Sequence, residues 1–91
     1  MSLEKTFKAL ADKNRREILS LLKRKSLTAG EISENFDMTN ATLSYHLQIL
    51  KDAGLIFDEK DKNFRVYSLN ASVFEEVLAY FFEFRSDEDE K

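Results

Sequence analysis

Residues 28–54, TAGEISENFDMTNATLSYHLQILKDAG, hold two helix starts with very little chain between them. Thr28 and Glu31 form a T-x-x-E capping box, in which each side chain satisfies an amide the other end of the turn leaves open. Ile32 and Phe36 give that helix a buried side. Thr39 is a suitable N-cap for the next one. Leu43, Leu47 and Leu50 then fall at i, i+4 and i+7. Gly54, directly after Ala53, suits the left-handed position that ends a helix. If the first helix runs to Phe36, only Asp37 and Met38 remain for the turn. Two helices joined so tightly have helix-turn-helix spacing, here with no glycine in the turn.

The flanking segments complete the outline. Leu3, Phe7 and Leu10 predict a first helix over 3–11. Asp12 caps a second, NRREILSLLKRK, with Ile18, Leu19, Leu21 and Leu22 inward and Lys23, Arg24 and Lys25 at the negative end of its dipole. After Gly54, LIFDEKDKNFRVYSL reads as a hairpin. Its strands are Leu55–Asp58 and Phe64–Leu69, and its turn is EKDKN, with Asn63 taking positive φ. Ser72 and Glu75 form a second capping box that starts the last helix. The predicted architecture is mainly α with a small β-hairpin, a winged helix-turn-helix in the order α-α-α-α-β-β-α. Residues 1–85 form one domain, and 86–91 are read as an acidic disordered tail.

Charge and composition narrow the function. The net charge of −3 comes from the tail SDEDEK, because residues 1–85 hold 13 acids and 13 bases. Local patches therefore decide the field around the fold. There is no cysteine, so disulfides and thiolate metal sites are excluded. No stretch approaches the ~20 apolar residues of a membrane span, and no secretory signal stands at the N-terminus; a cytoplasmic location is expected. No nucleophile motif, phosphate-cradling glycine loop or paired-carboxylate geometry is present, so no enzymatic activity and no cofactor are expected. Glu75, Glu76 and Glu83 have only the spacing of a solvated helix face, and no metal site is assigned.

The helix after Thr39 is unusual in what it shows to water. Asn40, Ala41, Thr42, Ser44, Tyr45 and Gln48 lie away from the leucine stripe, and no acid occurs between Met38 and Lys51 in a chain with 17 of them. Amides such as Asn40 or Gln48 pair with adenine, and the Ala41 or Thr42 methyl meets thymine. Hydroxyls suit phosphates. The predicted DNA-binding set is Thr39, Asn40, Ala41, Thr42, Ser44, Tyr45, His46 and Gln48, with Lys62 and Arg65 from the wing. His46, at the side of the stripe, has no companion metal ligand, and its plainer reading is a half-buried residue bonded to the backbone or a phosphate. Lys13, Arg15, Arg16, Lys23, Arg24 and Lys25 are read either as a solvated face or as flanks for the DNA backbone, with Arg15 or Arg16 alternatively held by a carboxylate.

Three fragments in order resemble one family. FKALADKNRREILSLL resembles an A-L-A-D segment leading into an arginine-containing helix. LTAGEISENFDMTNATLSYHLQILKDAGLI resembles an L-S-x-x-T-x-S-x-H-L-x-x-L-x-x-A-G-L-[VI] run, and RVYSL resembles a V-Y-Y-S-L strand. On these the chain resembles the ArsR-type winged helix-turn-helix repressors, and within them the cysteine-free autorepressor branch. The resemblance implies a sequence-specific repressor that binds a palindromic double-stranded operator as a homodimer, without metal sensing. It departs from the family at Lys13, where proline is usual. Metal sensors of the family have cysteines where Thr28-Ala29-Gly30-Glu31 stand. The wing tip reads Lys60-Asp61-Lys62-Asn63 in place of R-E-G-R. The family's first and last helices form its dimer, which fits the two apolar stripes of the last helix here. The expected dimer contacts are Leu3, Phe7, Phe74, Val77, Leu78, Phe81 and Phe82. Two recognition helices would then meet half-sites ~34 Å apart. The alternative is a winged-helix protein-interaction module, an antirepressor or a protein sequestered by a membrane-protein partner.

Overall fold

The computed structural model describes residues 2–85; the expected disordered tail at 86–91 lies outside them. Five helices and three short strands follow in the order α1 (Leu3–Leu10), α2 (Lys13–Arg24), β1 (Leu27–Thr28), α3 (Ala29–Ser33), α4 (Asn40–Asp52), β2 (Ile56–Asp61), β3 (Phe64–Leu69) and α5 (Ala71–Phe82). The core is assembled from all of them, with Ile18, Ile32, Leu50 and Leu55 fully enclosed. No helix among the described residues is long and apolar enough to cross a membrane.

α1 is capped by Ser2, whose hydroxyl accepts from the Lys5 amide at 3.2 Å. It buries Thr6 and Ala9 rather than the Leu3–Phe7–Leu10 stripe. Of that stripe, Leu10 packs against the core and Leu3 is half-buried, while Phe7 turns toward α5, its ring 6.1 Å from Tyr80 and 5.8 Å from Phe81. α2 starts at the Asp12 cap and buries Ile18, Leu19 and Leu22, as its spacing predicts.

The capping box of α3 forms in full, but the helix ends at Ser33, earlier than expected. Asn35 and Phe36 instead close i→i+3 bonds onto Ile32 and Ser33. The connection to α4 is therefore Glu34–Thr39, longer than the Asp37–Met38 turn expected from sequence. α4 ends in a Schellman motif: Gly54 N–H donates to Lys51 at 2.9 Å and Leu55 N–H to Leu50 at 3.0 Å, with Gly54 at φ 77.

The sheet has the order β1-β3-β2, all antiparallel. β1 was not expected. Its two residues pair with Val66 and Tyr67, almost forty positions away, and no local pattern marks so short a strand. The hairpin is also longer than its sequence suggests. β2 runs to Asp61, which faces Phe64, so the turn is only Lys62-Asn63. The positive φ falls on Lys62 (61°) and not on Asn63. α5 starts at Asn70, not at a Ser72 box. Asn70 is fixed by tertiary bonds: its Nδ2 donates to Gly54 O and its N–H to Leu55 O, both at 2.9 Å.

Candidate nucleic-acid interface

α4 is held by one face and shows the other. Leu43, His46, Leu47 and Leu50 are buried. Asn40, Ala41, Thr42, Ser44, Tyr45 and Gln48 are all exposed, Tyr45 at 62%. The Thr39 hydroxyl accepts from the Thr42 amide at 3.1 Å and donates to the Thr42 hydroxyl at 3.0 Å. These two residues thus spend part of their bonding on starting the helix. Gln48 Nε2 donates to Asp52 Oδ1 at 2.8 Å, which leaves its carbonyl and one N–H outward. The exposed strip from Asn40 to Gln48 carries short amide, hydroxyl, methyl and phenol groups and no charge.

His46, placed in the same set by sequence, faces inward and is only 6% exposed. Its Nδ1 stands 3.2 Å from Arg15 Nη1. A guanidinium has no acceptor, so Nδ1 is the accepting atom. Arg15 also donates from Nε to Ala9 O at 2.8 Å and from Nη2 to Lys8 O at 3.0 Å. One side chain therefore ties the end of α1, α2 and the inner face of α4. Arg16 does similar work, donating to Leu10 O at 2.8 Å. Both arginines are thus bonded to backbone carbonyls of α1.

The wing is placed by a carboxylate whose partners the sequence did not reveal. Asp58 on β2, with its side chain 10% exposed, accepts from Lys51 of α4 at 3.0 Å and from Arg65 of β3 at 3.3 Å. The signal was hidden because these three residues meet only once the hairpin folds back against α4. Arg65, a sequence candidate for DNA contact, is thus partly neutralised, while Lys62 projects from the hairpin tip. Register puts Asp58, Lys60, Arg65 and Tyr67 on the α4 side of the hairpin, and Phe57, Glu59, Asp61 and Phe64 on the outer side.

Two carboxylates elsewhere are held below their ordinary range. Asp12 is lowered chiefly by the Arg15 amide it caps, and Glu31 chiefly by the Thr28 amide of its capping box.

The sequence-predicted dimer contacts divide. Val77 is part of the core and Phe74 packs on its edge, with Leu3 half-buried. Leu78, Phe81 and Phe82 stay exposed at 53–55%, with Phe7 beside them. Phe84, not in the predicted set, is 70% exposed and packs edge-on against Tyr80. α5 thus spends one apolar stripe on its own domain and leaves the other uncovered, in a helix that needs only one.

Comparison with known proteins follows the same lines. The pattern of the bacterial regulatory protein, arsR family, matches residues 12–57, from the cap of α2 into β2. The chain is 40% identical to the transcriptional repressor SdpR of Bacillus subtilis, over 90% of this chain and 91% of that protein. It is 44% identical to an arsenical resistance operon repressor of the same organism, over 74% of this chain and 65% of that one. Among solved structures, the crystal structure of an ArsR family transcriptional regulator superposes with a TM-score of 0.85 at 33% identity, covering 89% of both chains. A homodimeric winged helix-turn-helix DNA-binding domain from Mycobacterium bovis gives 0.73 at 28% identity, over 89% of this chain and 79% of that one.

Proposed function

The chain belongs to the arsR family of bacterial regulatory proteins, and from that membership we propose that it is a metal-independent transcriptional repressor that binds a palindromic operator as a homodimer. The observation that carries the proposal is the outer face of α4. It is exposed from Asn40 to Gln48, free of charge, and backed by a leucine stripe and the Arg15 bonds that hold it rigidly. A recognition helix needs both properties, because base edges are read by short polar groups held in fixed positions. Asn40, Ala41, Ser44, Tyr45 and Gln48 read the bases. Thr39 and Thr42 serve the helix start, and His46 holds α4 to Arg15 from inside. Lys62 at the wing tip meets the backbone, with Arg65 contributing as phosphate competes for it against Asp58.

A second copy of the chain covers the exposed stripe of α5 together with Phe7. Supporting this are the apolar area at Leu78, Phe81, Phe82 and Phe84 and the homodimeric state of the Mycobacterium bovis relative. Two-fold pairing presents two α4 helices to half-sites about one DNA turn, ~34 Å, apart. Without cysteine the chain can offer no thiolate to a metal or metalloid, and repression of its own operon is the regulation proposed.

Selection of bound duplexes from a random pool, followed by a gel shift, tests the reading. An enriched inverted repeat whose binding is abolished by Tyr45→Ala with Gln48→Ala is expected. No enriched site at low salt refutes it. Sedimentation should give a dimer that Phe81→Glu with Phe82→Glu converts to a monomer. A second reading, a module that binds another protein, has one observation in its favour: Phe57 and Phe64 are exposed on the outer wing face beside Glu59 and Asp61. Regulation that survives loss of Tyr45 and Gln48 would favour it.

A further inference from the structure

α1 has two unlike flanks. Phe7 turns toward α5, with Leu3 one turn before it on the same flank. Lys5 and Lys8 turn the other way, into an open cleft of about 350 Å³ between α1 and α4. Across the cleft stand Tyr45, Ile49 and Asp52 of α4, and Arg15 lies in its wall with three of its donors already committed to Lys8 O, Ala9 O and His46. Lys5 and Lys8 are exposed, and among the described residues neither takes part in an ion pair. Asp52 is the cleft's one opposing charge, and its Oδ1 is occupied by Gln48 Nε2.

A helix in the major groove, ~12 Å wide, is bordered by a sugar-phosphate ridge on each side. On the wing side of α4, Lys51 and Arg65 share Asp58, and Glu59 and Asp61 lie on the same hairpin. Lys60 and Lys62 of the hairpin are interleaved with those acids, whereas on the opposite flank Lys5, Lys8 and Arg15 face Asp52 alone, so the larger local excess of positive charge beside the reading face is at α1. We infer that Lys5 and Lys8 grip the backbone phosphates of the strand bordering α4 on that flank, which makes the α1–α4 cleft the principal phosphate clamp of each protomer. The inference rests on the reading of α4 as the recognition helix. Contacts of this kind fix the position of the protein on the duplex and carry no base information. Tyr45, on the rim of the cleft and on the outer face of α4, joins the clamp to the base-reading strip.

The test is the salt dependence of binding by the full chain to its selected duplex. Each phosphate contact contributes about 0.9 to the slope of log affinity against log salt. A two-fold dimer carries each substitution twice, so Lys5→Gln and Lys8→Gln should each lower the slope by about 1.8, with base preference unchanged. Lys8→Arg should keep the wild-type slope. Circular dichroism of each variant checks that the fold is kept. A wild-type slope in both glutamine variants overturns the assignment, and so does an altered base preference. Failure of the unaltered chain to bind any duplex defeats the reading of α4, and the clamp with it. Binding that persists with an unaltered slope defeats the clamp alone.

Discussion

Replacing Arg15 by methionine keeps the apolar stem of the side chain and removes its guanidinium, which is bonded to two carbonyls of α1 and to His46 Nδ1. Bonds from a charged donor are worth ~1.5–3 kcal/mol each, but these three will not be lost in full. Lys8 O keeps a 3.2 Å bond from the Ala11 amide and water can reach it. Ala9 and His46 are buried, so the acceptors at those two sites suffer most. A total of roughly 2–4 kcal/mol results, set against the ~0.05–0.15 kcal/mol per residue by which domains of this kind are stable. Urea unfolding followed by circular dichroism, at one fixed chain concentration because assembly shifts apparent stability, measures it. His46→Phe removes the acceptor while keeping a ring in place. Joined in a double-mutant cycle, the two changes should show a coupling of about 0.5–1 kcal/mol or more, as contacting residues do. Additivity within ~0.3 kcal/mol would mean that Arg15 and His46 do not hold each other, and the account of how α4 is fixed from inside would be wrong.

Three further outcomes follow from local geometry. Gly54→Ala should cost about 1–2 kcal/mol in the same unfolding assay, because its φ of 77 is left-handed, while the added Cβ would meet Val73 Cγ2 at an ordinary 3.6 Å. Lys62→Gly should stabilise the fold by about 0.5–1 kcal/mol, since relief of its positive φ exceeds the entropy cost of glycine in the unfolded chain; a loss of stability would contradict the assigned turn. Asp12→Ala should cost about 1 kcal/mol near neutral pH as a lost N-cap. Because the Asp12 carboxyl titrates lower in the folded chain than in the unfolded one, its stabilisation is complete above the ordinary carboxylate range and disappears as acid carries it through its lowered folded value. The gap between wild type and Asp12→Ala should therefore close in strongly acidic solution, as read by thermal melts across that range.

The legible parts of this fold are those specified within a few residues. Thr28 with Glu31, Thr39, the Leu43–Leu47–Leu50 stripe and Gly54 each act over one or two helical turns, and each does in the structure what its spacing predicts. What escaped depends on partners far along the chain. Ser72 and Glu75 have the right spacing for a cap, yet Asn70 begins α5 because Gly54 and Leu55 grip it. β1 exists only because β3 lies beside it. In the candidate interface, the exposure of Asn40, Ala41, Ser44, Tyr45 and Gln48 could be read from the helical period. For His46 the period left a DNA contact and a half-buried role both open, and its burial against Arg15 of α2 follows the second, with a side chain rather than the backbone as partner. Lys5 and Lys8 did carry a sequence signal, two lysines one turn apart opposite Leu3 and Phe7, but its meaning needs α4 across the cleft.

Asp58 on β2 ties the hairpin to α4 through Lys51, while Arg65 of β3 braces the same carboxylate from within the hairpin, and this has a mechanical consequence. Swinging the base of the hairpin away from α4 would break the Lys51–Asp58 pair, so the two tend to move as one lever. In the proposed dimer, a mismatch in the distance between half-sites would then be taken up where the two copies meet, among the exposed rings of α5, so tolerance to spacer length would be a property of that seam and not of the hairpin.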